Sequence, residues 1–315
     1  MELAADLPAS VRLALERRNF PLELFETLLR LPPEVGVLLV GSHAEGIATA
    51  VSDLDVLVLL EGDEELPPPG AGASLVPVAA SSTVVERYLL LAHDLELDVE
   101  VVRDTRIAGV ETMTGEFALV AGGEVPATRG LPTLQTLELR VLSRLRTGIP
   151  LGGAERVESW RRRLHLDLLP HFVAAVAFVR ALSYAEDAYS IDDTGEGDAA
   201  RLSAAIAARG GAEAVVAAAL ATHGVVASWD LKAAPRHVAR LRREGVELAP
   251  VLLELEELLF PAGGELGRRR IDSVYESAVR LFEHLRDKGS MPGVVAYLRT
   301  YGRDRWQLDL SFLHA

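Results

Sequence analysis

The 315-residue sequence is 49% hydrophobic and 25% charged, the makeup of a globular protein with room for two domains. Its formal net charge of −14 argues against nonspecific binding to nucleic-acid backbone or anionic membranes, since both favour basic surfaces. No cysteine is present, which excludes disulfides, thiolate zinc sites and cysteine nucleophiles.

The opening MELAADLPASVRLALERR lacks a continuous apolar core behind a basic start, and no uncharged stretch approaches a membrane span. A soluble cytoplasmic protein is therefore expected. Residues 9–18 and 22–31 read as helices, and Pro32-Pro33 ends the second because proline cannot continue a helix. The run VGVLLVGSHAEGIATAVSDLDVLVLL, residues 35–60, then gives an apolar strand to Val40, a Gly41-Ser42 turn, a short helix and a second apolar strand. That second strand carries Asp53 and Asp55. Residues 61–72 read as a loop with solvated acids, 74–79 as a short strand, and Ser81 or Ser82 as the cap of a helix reaching about His93. Residues 95–102 alternate as a strand holding Asp98 and Glu100. An edge hairpin is expected around 116–123 and a helix over 132–147, with a domain boundary in GIPLGG, residues 148–153. Everything beyond is helical in pattern, over 154–169, 171–190, 198–209, 211–223, 233–243, 248–259, 267–288 and 292–301.

Chemistry concentrates in residues 35–60. Side chains two apart on a strand share a face, so the carboxylates of Asp53 and Asp55 project into one small volume. Like charges so close repel unless a cation lies between them, and a hard oxygen-liganded ion such as Mg²⁺ suits a phosphate substrate. Gly41 lets the backbone turn sharply and approach a ligand. Ser42 is a good cap for a short helix, whose free N–H groups attract phosphate. A phosphate cradle beside a two-carboxylate seat is an arrangement for phosphoryl transfer.

Gly41-Ser42, a ten-residue spacer and Asp53-Leu54-Asp55-Val56 resemble the signature of the DNA polymerase β-type nucleotidyltransferase superfamily. The layout is most similar to the small-molecule members, such as the aminoglycoside and kanamycin nucleotidyltransferases. The resemblance is specific over about residues 35–103 and architectural beyond. It implies an α+β fold: a nucleotidyltransferase domain over residues 1–150, built on a small mixed sheet flanked by helices. An all-helical domain over 151–315 would close over the site and help bind the acceptor. It also implies a third carboxylate, for which Glu100, in Val99-Glu100-Val101, is preferred and Asp98 is the runner-up. Asp53, Asp55 and Glu100 would be catalytic and would bind metal, two Mg²⁺ ions by the family's pattern, while Gly41 and Ser42 would hold the nucleotide.

The implied reaction moves a nucleoside monophosphate from a nucleoside triphosphate to a hydroxyl of a small acceptor, an antibiotic or other metabolite, and releases pyrophosphate. A protein-modifying or antitoxin-like nucleotidyltransferase and a non-catalytic nucleotide-binding protein are the alternatives. Nucleic acid and membrane are not expected as partners, and a homodimer stays open. Glu186 is a second base candidate, read otherwise as a solvent-exposed acid. His43 reads as a half-exposed helix residue, Asp192–Asp198 as an acidic loop, and Trp160, Trp229 and Trp306 as packing residues. Arg87 or Arg163 is the arginine expected to serve the triphosphate.

Overall fold

The computed structural model describes residues 7–17, 35–66, 68–69, 72–78, 84–92, 95–125, 136–195, 197–226, 231–260, 268–302 and 309–313. The chain divides into two compact units, Met1–Thr114 with Leu134–Asp167, and Gly115–Thr133 with Leu168–Ala315. The expected helix over 22–31, and Trp229 and Trp306, lie outside the described residues.

In the first unit α1 (Ala9–Arg17) is followed by β1 (Gly36–Val40), the four-residue α2 (Gly41–Ala44), β2 (Leu54–Leu60), β3 (Ala73–Pro77), β4 (Val85–Ala92) and β5 (Leu95–Arg103). Then come the first half of α3 (Asp104–Gly122), α4 (Thr136–Thr147), β6 (Ile149–Gly152) and α5 (Ala154–Arg163). The strands form one mixed six-stranded sheet in the order β3-β4-β5-β2-β1-β6. The β2–β5 pair is parallel and every other pair is antiparallel.

Alternation along β2 decides what each face of the sheet does. Leu54, Val56, Val58 and Leu60 pack with Val37, Leu39, Leu97, Val99 and Val101 into a core with Val11 and Leu15 of α1. The intervening residues, Asp55, Leu57 and Leu59, point to the other face. There Leu59 and Val102 meet Ile107 of α3, Val141 and Leu145 of α4, and Trp160 of α5. The acidic residues thus sit at one end of a face whose remainder is apolar and covered by helices.

Several expected elements are corrected. The helix expected to reach His93 is strand β4, paired over its whole length with β5 from Val85↔Val102 to Ala92↔Leu95. The hairpin expected around 116–123 is the second half of α3, opened at Asp104, whose Oδ1 accepts the Thr105 N–H at 2.7 Å and the Gly62 N–H at 2.8 Å. GIPLGG is not the boundary between the units. Ile149–Gly152 is edge strand β6 on β1, and the first unit, which the chain rejoins at Leu134, ends at Asp167. Glu64, expected to be solvated, accepts two bonds from Arg156, at 2.7 and 3.1 Å, which tie the 61–66 loop to α5. Gly153 sits at φ +56 between β6 and α5, and a Cβ there would lie 2.3 Å from the Val35 carbonyl oxygen. Gly153→Ala is expected to cost roughly 2–4 kcal/mol, read as a lowered urea midpoint, because a left-handed backbone and a backbone clash coincide.

The second unit takes the rest of α3 and then α6 (Leu169–Thr194), α7 (Gly197–Thr222), α8 (Ala234–Arg243), α9 (Pro250–Leu253), α10 (Leu255–Leu259), α11 (Arg268–Lys288) and α12 (Pro292–Gly302). The two helices expected over 198–223 are one, running through Gly210-Gly211. Helix packing explains those glycines. A Cβ on Gly210 would lie 3.1 Å from the Tyr184 ring, and one on Gly211 would lie 2.8 Å from Val274 Cγ1. Alpha-7 is long and apolar enough to cross a membrane by composition, and 72% of its most apolar window is buried inside the protein, the pattern of a core helix. The acidic segment 192–198 is not one loop, since Asp192 and Asp193 lie in the last turn of α6, where Asp193 pairs with Arg268 at 2.7 Å.

His223 Nε2 accepts the Ala249 N–H at 3.1 Å. Burial, with His284 nearby, holds the His223 imidazole below its ordinary pKa. A group depressed in the folded state favours folding fully above its unfolded value, and that contribution is lost as pH falls toward the folded value. The melting temperature is therefore expected to fall between pH 7.5 and 5, and His223→Gln is expected to flatten that slope.

Candidate active site

Asp53 is exposed just ahead of β2, and Asp55, partly buried, is its second residue. The strand register assembles their neighbours. Asp55 stands opposite Val40 of β1 on one side and Asp98 of β5 on the other, while Glu100 stands opposite Leu57 and Arg87. Asp55, Asp98, Glu100 and Arg87 therefore share one face across three adjacent strands.

The Gly41-Ser42 turn lies against this face. Gly41 adopts φ +69, and a Cβ on it would lie 2.4 Å from Asp55 Oδ2. Glycine is required here both by backbone conformation and by the close approach of that carboxylate. Ser42 is not a helix cap. The cap position of α2 is Val40, which makes no side-chain capping bond, and a four-residue helix has too little dipole to hold an anion on its own. Ser42 is half-buried within the turn, and its carbonyl accepts the Ile47 N–H at 3.0 Å. His43, expected to be half-exposed, is buried, with Nδ1 3.2 Å from Ser10 Oγ, which fastens the turn to α1.

Sequence reasoning missed the groups that dominate the electrostatics. Arg140 and Arg144 lie one turn apart on α4 and reach the acidic face together. Arg144 Nη1 is 2.7 Å from Glu100 Oε2, and its Nη2 is 3.2 Å from Asp55 Oδ1. Arg140 Nη2 is 2.8 Å from Glu100 Oε1. Arg87, expected as a phosphate ligand, lies 3.9 Å from Glu100 and 3.8 Å from Asp98. The Glu100 contacts are short charge pairs whose angles depart from hydrogen-bond geometry. Arg163 is engaged elsewhere, 3.4 Å from Glu111 and over the Trp160 ring. The signal available in the sequence was the i,i+4 spacing of Arg140 and Arg144 beside Val141, Leu142 and Leu145.

Burial lifts the Asp55 carboxyl above its ordinary range, against the pull of Arg144 and with the push of Asp98 and Glu100. Burial alone would weaken the charge on Arg144, but Glu100 and Asp55 outweigh it and hold the guanidinium above its ordinary value. Arg140 is lowered, by burial first and then by Arg144.

The donor set tests the fit of a divalent cation. Asp55 offers carboxylate oxygens on this face, of the hard kind that suits Mg²⁺, and Asp53 lies exposed two residues before it. Glu100, only 1% exposed, has both oxygens on guanidinium groups and does not fit as a ligand in this arrangement. Among the described residues, no three acidic or histidine side chains converge closely enough to enclose an ion. Glu186, the other base candidate, lies half-buried on α6 in the second unit.

The mixed sheet carries Asp55 on β2 and Asp98 and Glu100 on the adjacent β5, with the Gly41 turn against Asp55. Residues 22–114 match the family model of the nucleotidyltransferase domain, so this part of the chain is a nucleotidyltransferase domain of the polymerase β-type superfamily, and the protein is a nucleotidyltransferase enzyme. Members of the family generally use a nucleoside triphosphate and a divalent metal. The crystal structure of a nucleotidyltransferase-like protein from Exiguobacterium sibiricum 255-15 is similar at 11% identity and a TM-score of 0.36, over 96% of this chain and 86% of that one. A likeness that loose places no residue. None of the curated proteins matches the chain.

Proposed function

We propose that the protein transfers a nucleoside monophosphate from a nucleoside triphosphate to a hydroxyl of a small molecule, using Mg²⁺ and releasing pyrophosphate. The observation that carries this reading is Asp55 on β2, against the Gly41 turn, on the face shared with Asp98 and Glu100. Asp53 and Asp55 hold the cation, which when bound draws charge off the triphosphate and helps orient its α-phosphoryl group. Gly41 leaves the backbone of the turn open to close approach, and Ser42 offers a hydroxyl to a phosphate oxygen. Arg87 and Arg140, both partly exposed, supply positive charge on the same face for the phosphate chain. Glu100 holds Arg140 and Arg144 in place. In the reaction the acceptor hydroxyl gives up its proton to water as its oxygen bonds to the α-phosphorus, the bond from that phosphorus to the oxygen bridging to the β-phosphate breaks, and pyrophosphate leaves with that oxygen. The net charge of −14 favours a small acceptor over nucleic acid.

The test is incubation with each α-labelled nucleoside triphosphate and Mg²⁺, with and without a panel of hydroxylated small molecules. Label recovered on a small molecule, together with pyrophosphate, supports the reading. Label recovered only on protein moves the acceptor to a polypeptide, and no release with any nucleotide contradicts it.

A further inference from the structure

The nucleotidyl-transfer reading does not require a buried arginine against one of its own cation ligands, yet Arg144 is 8% exposed and bridges Asp55 and Glu100. The face as it stands is close to electrically balanced. Asp55, Asp98 and Glu100 meet Arg87, Arg140 and Arg144. A divalent ion arriving alone at Asp55 meets a carboxylate oxygen already engaged by a cation, and a like charge next to it in a poorly solvated site. Arg144 cannot simply swing away, because its other nitrogen is held by Glu100, whose remaining oxygen is held by Arg140.

We propose that Arg144 is a positioning residue that occupies Asp55 in place of a metal and sets the affinity of the site for divalent cation, with Glu100 serving as the arginine's anchor. The inference rests on the reading of Asp53 and Asp55 as the cation seat. It implies ordered loading. A divalent ion alone binds weakly. The same ion carried by a nucleoside triphosphate binds well, because the phosphate oxygens complete its ligand set and give the guanidinium a new anionic partner.

The test is titration of the metal-free full-length protein with Mn²⁺, followed by the electron paramagnetic resonance signal of the free ion, with and without a non-hydrolysable nucleoside triphosphate. Arg144→Met alone leaves Glu100 short of a partner and risks unfolding, so the decisive variant is Arg144→Met with Glu100→Gln, checked for fold by circular dichroism. The double variant is expected to bind Mn²⁺ alone at least about tenfold tighter than the parent, as removal of a close like charge predicts. Arg144→Lys, which keeps the charge, is expected to stay weak. Equal or weaker Mn²⁺ binding by the folded double variant overturns the inference, and weaker binding would return Glu100 to the ligand set. Failure of the functional reading shows separately, as absence of pyrophosphate release by the parent with Mg²⁺ and every nucleotide.

Discussion

Asp53→Asn is expected to lower nucleotidyl transfer by about two to three orders of magnitude, the scale seen when one charge-stabilising group is removed from a reacting centre. The protein should unfold at its parental temperature. Asp53 is exposed and precedes β2, so the change alters neither the core nor the strand ladder. Asparagine keeps the size and one oxygen of aspartate and removes the negative charge that a hard cation requires. Initial rates of pyrophosphate release and thermal unfolding, measured on the same preparation, check both halves. Undiminished release from Asp53→Asn would remove this residue from the cation seat.

Arg144→Met should have the largest effect on stability, a loss of roughly 3–5 kcal/mol, because breaking a buried ion pair leaves an uncompensated charge. Glu100 is more fully buried than Asp55 and keeps Arg140 at 2.8 Å and Arg87 at 3.9 Å, both on Oε1, so most of the cost falls on its Oε2. Adding Glu100→Gln should recover most of the loss, since a buried pair replaced as a whole costs far less than one broken. Urea unfolding of the parent, the single and the double variant forms the comparison. A single variant as stable as the parent would mean that Arg144 does not neutralise Glu100.

The strands that carry the acids were legible because each is an apolar run interrupted by carboxylates. LDVLVLL is apolar except at Asp55, which faces away from the core formed by Leu54, Val56 and Val58. The α+β class was what the resemblance of Gly41-Ser42 and Asp53-Leu54-Asp55-Val56 implied, and the mixed sheet followed by helices agrees with it. Elements decided by tertiary pairing were not legible. VERYLLLA has a run of leucines without a clear period, and only its register with β5 makes it a strand. The second half of α3 spreads its apolar residues around the helix and includes Gly115, so its pattern resembles a turn-rich segment. Its reason for being helical lies in partners distant in sequence, Phe172 against Phe117 at 4.5 Å and Gly293 against the Ala121 backbone. Arg140 and Arg144 fell on a helix that was read correctly, but arginines on a helix read as solvated. Their burial comes from acids more than 30 residues away, Asp55 and Glu100, which no local pattern connects to α4.

The most direct measurement is a crystal structure of the protein with a non-hydrolysable nucleoside triphosphate and Mn²⁺, read at the manganese absorption edge. The account predicts an anomalous peak on the carboxylates of Asp53 and Asp55, with the phosphate chain along the Gly41-Ser42 turn and the Arg144 guanidinium withdrawn from Asp55. A triphosphate bound elsewhere, with Arg144 still on Asp55 and no ion at either aspartate, would contradict it.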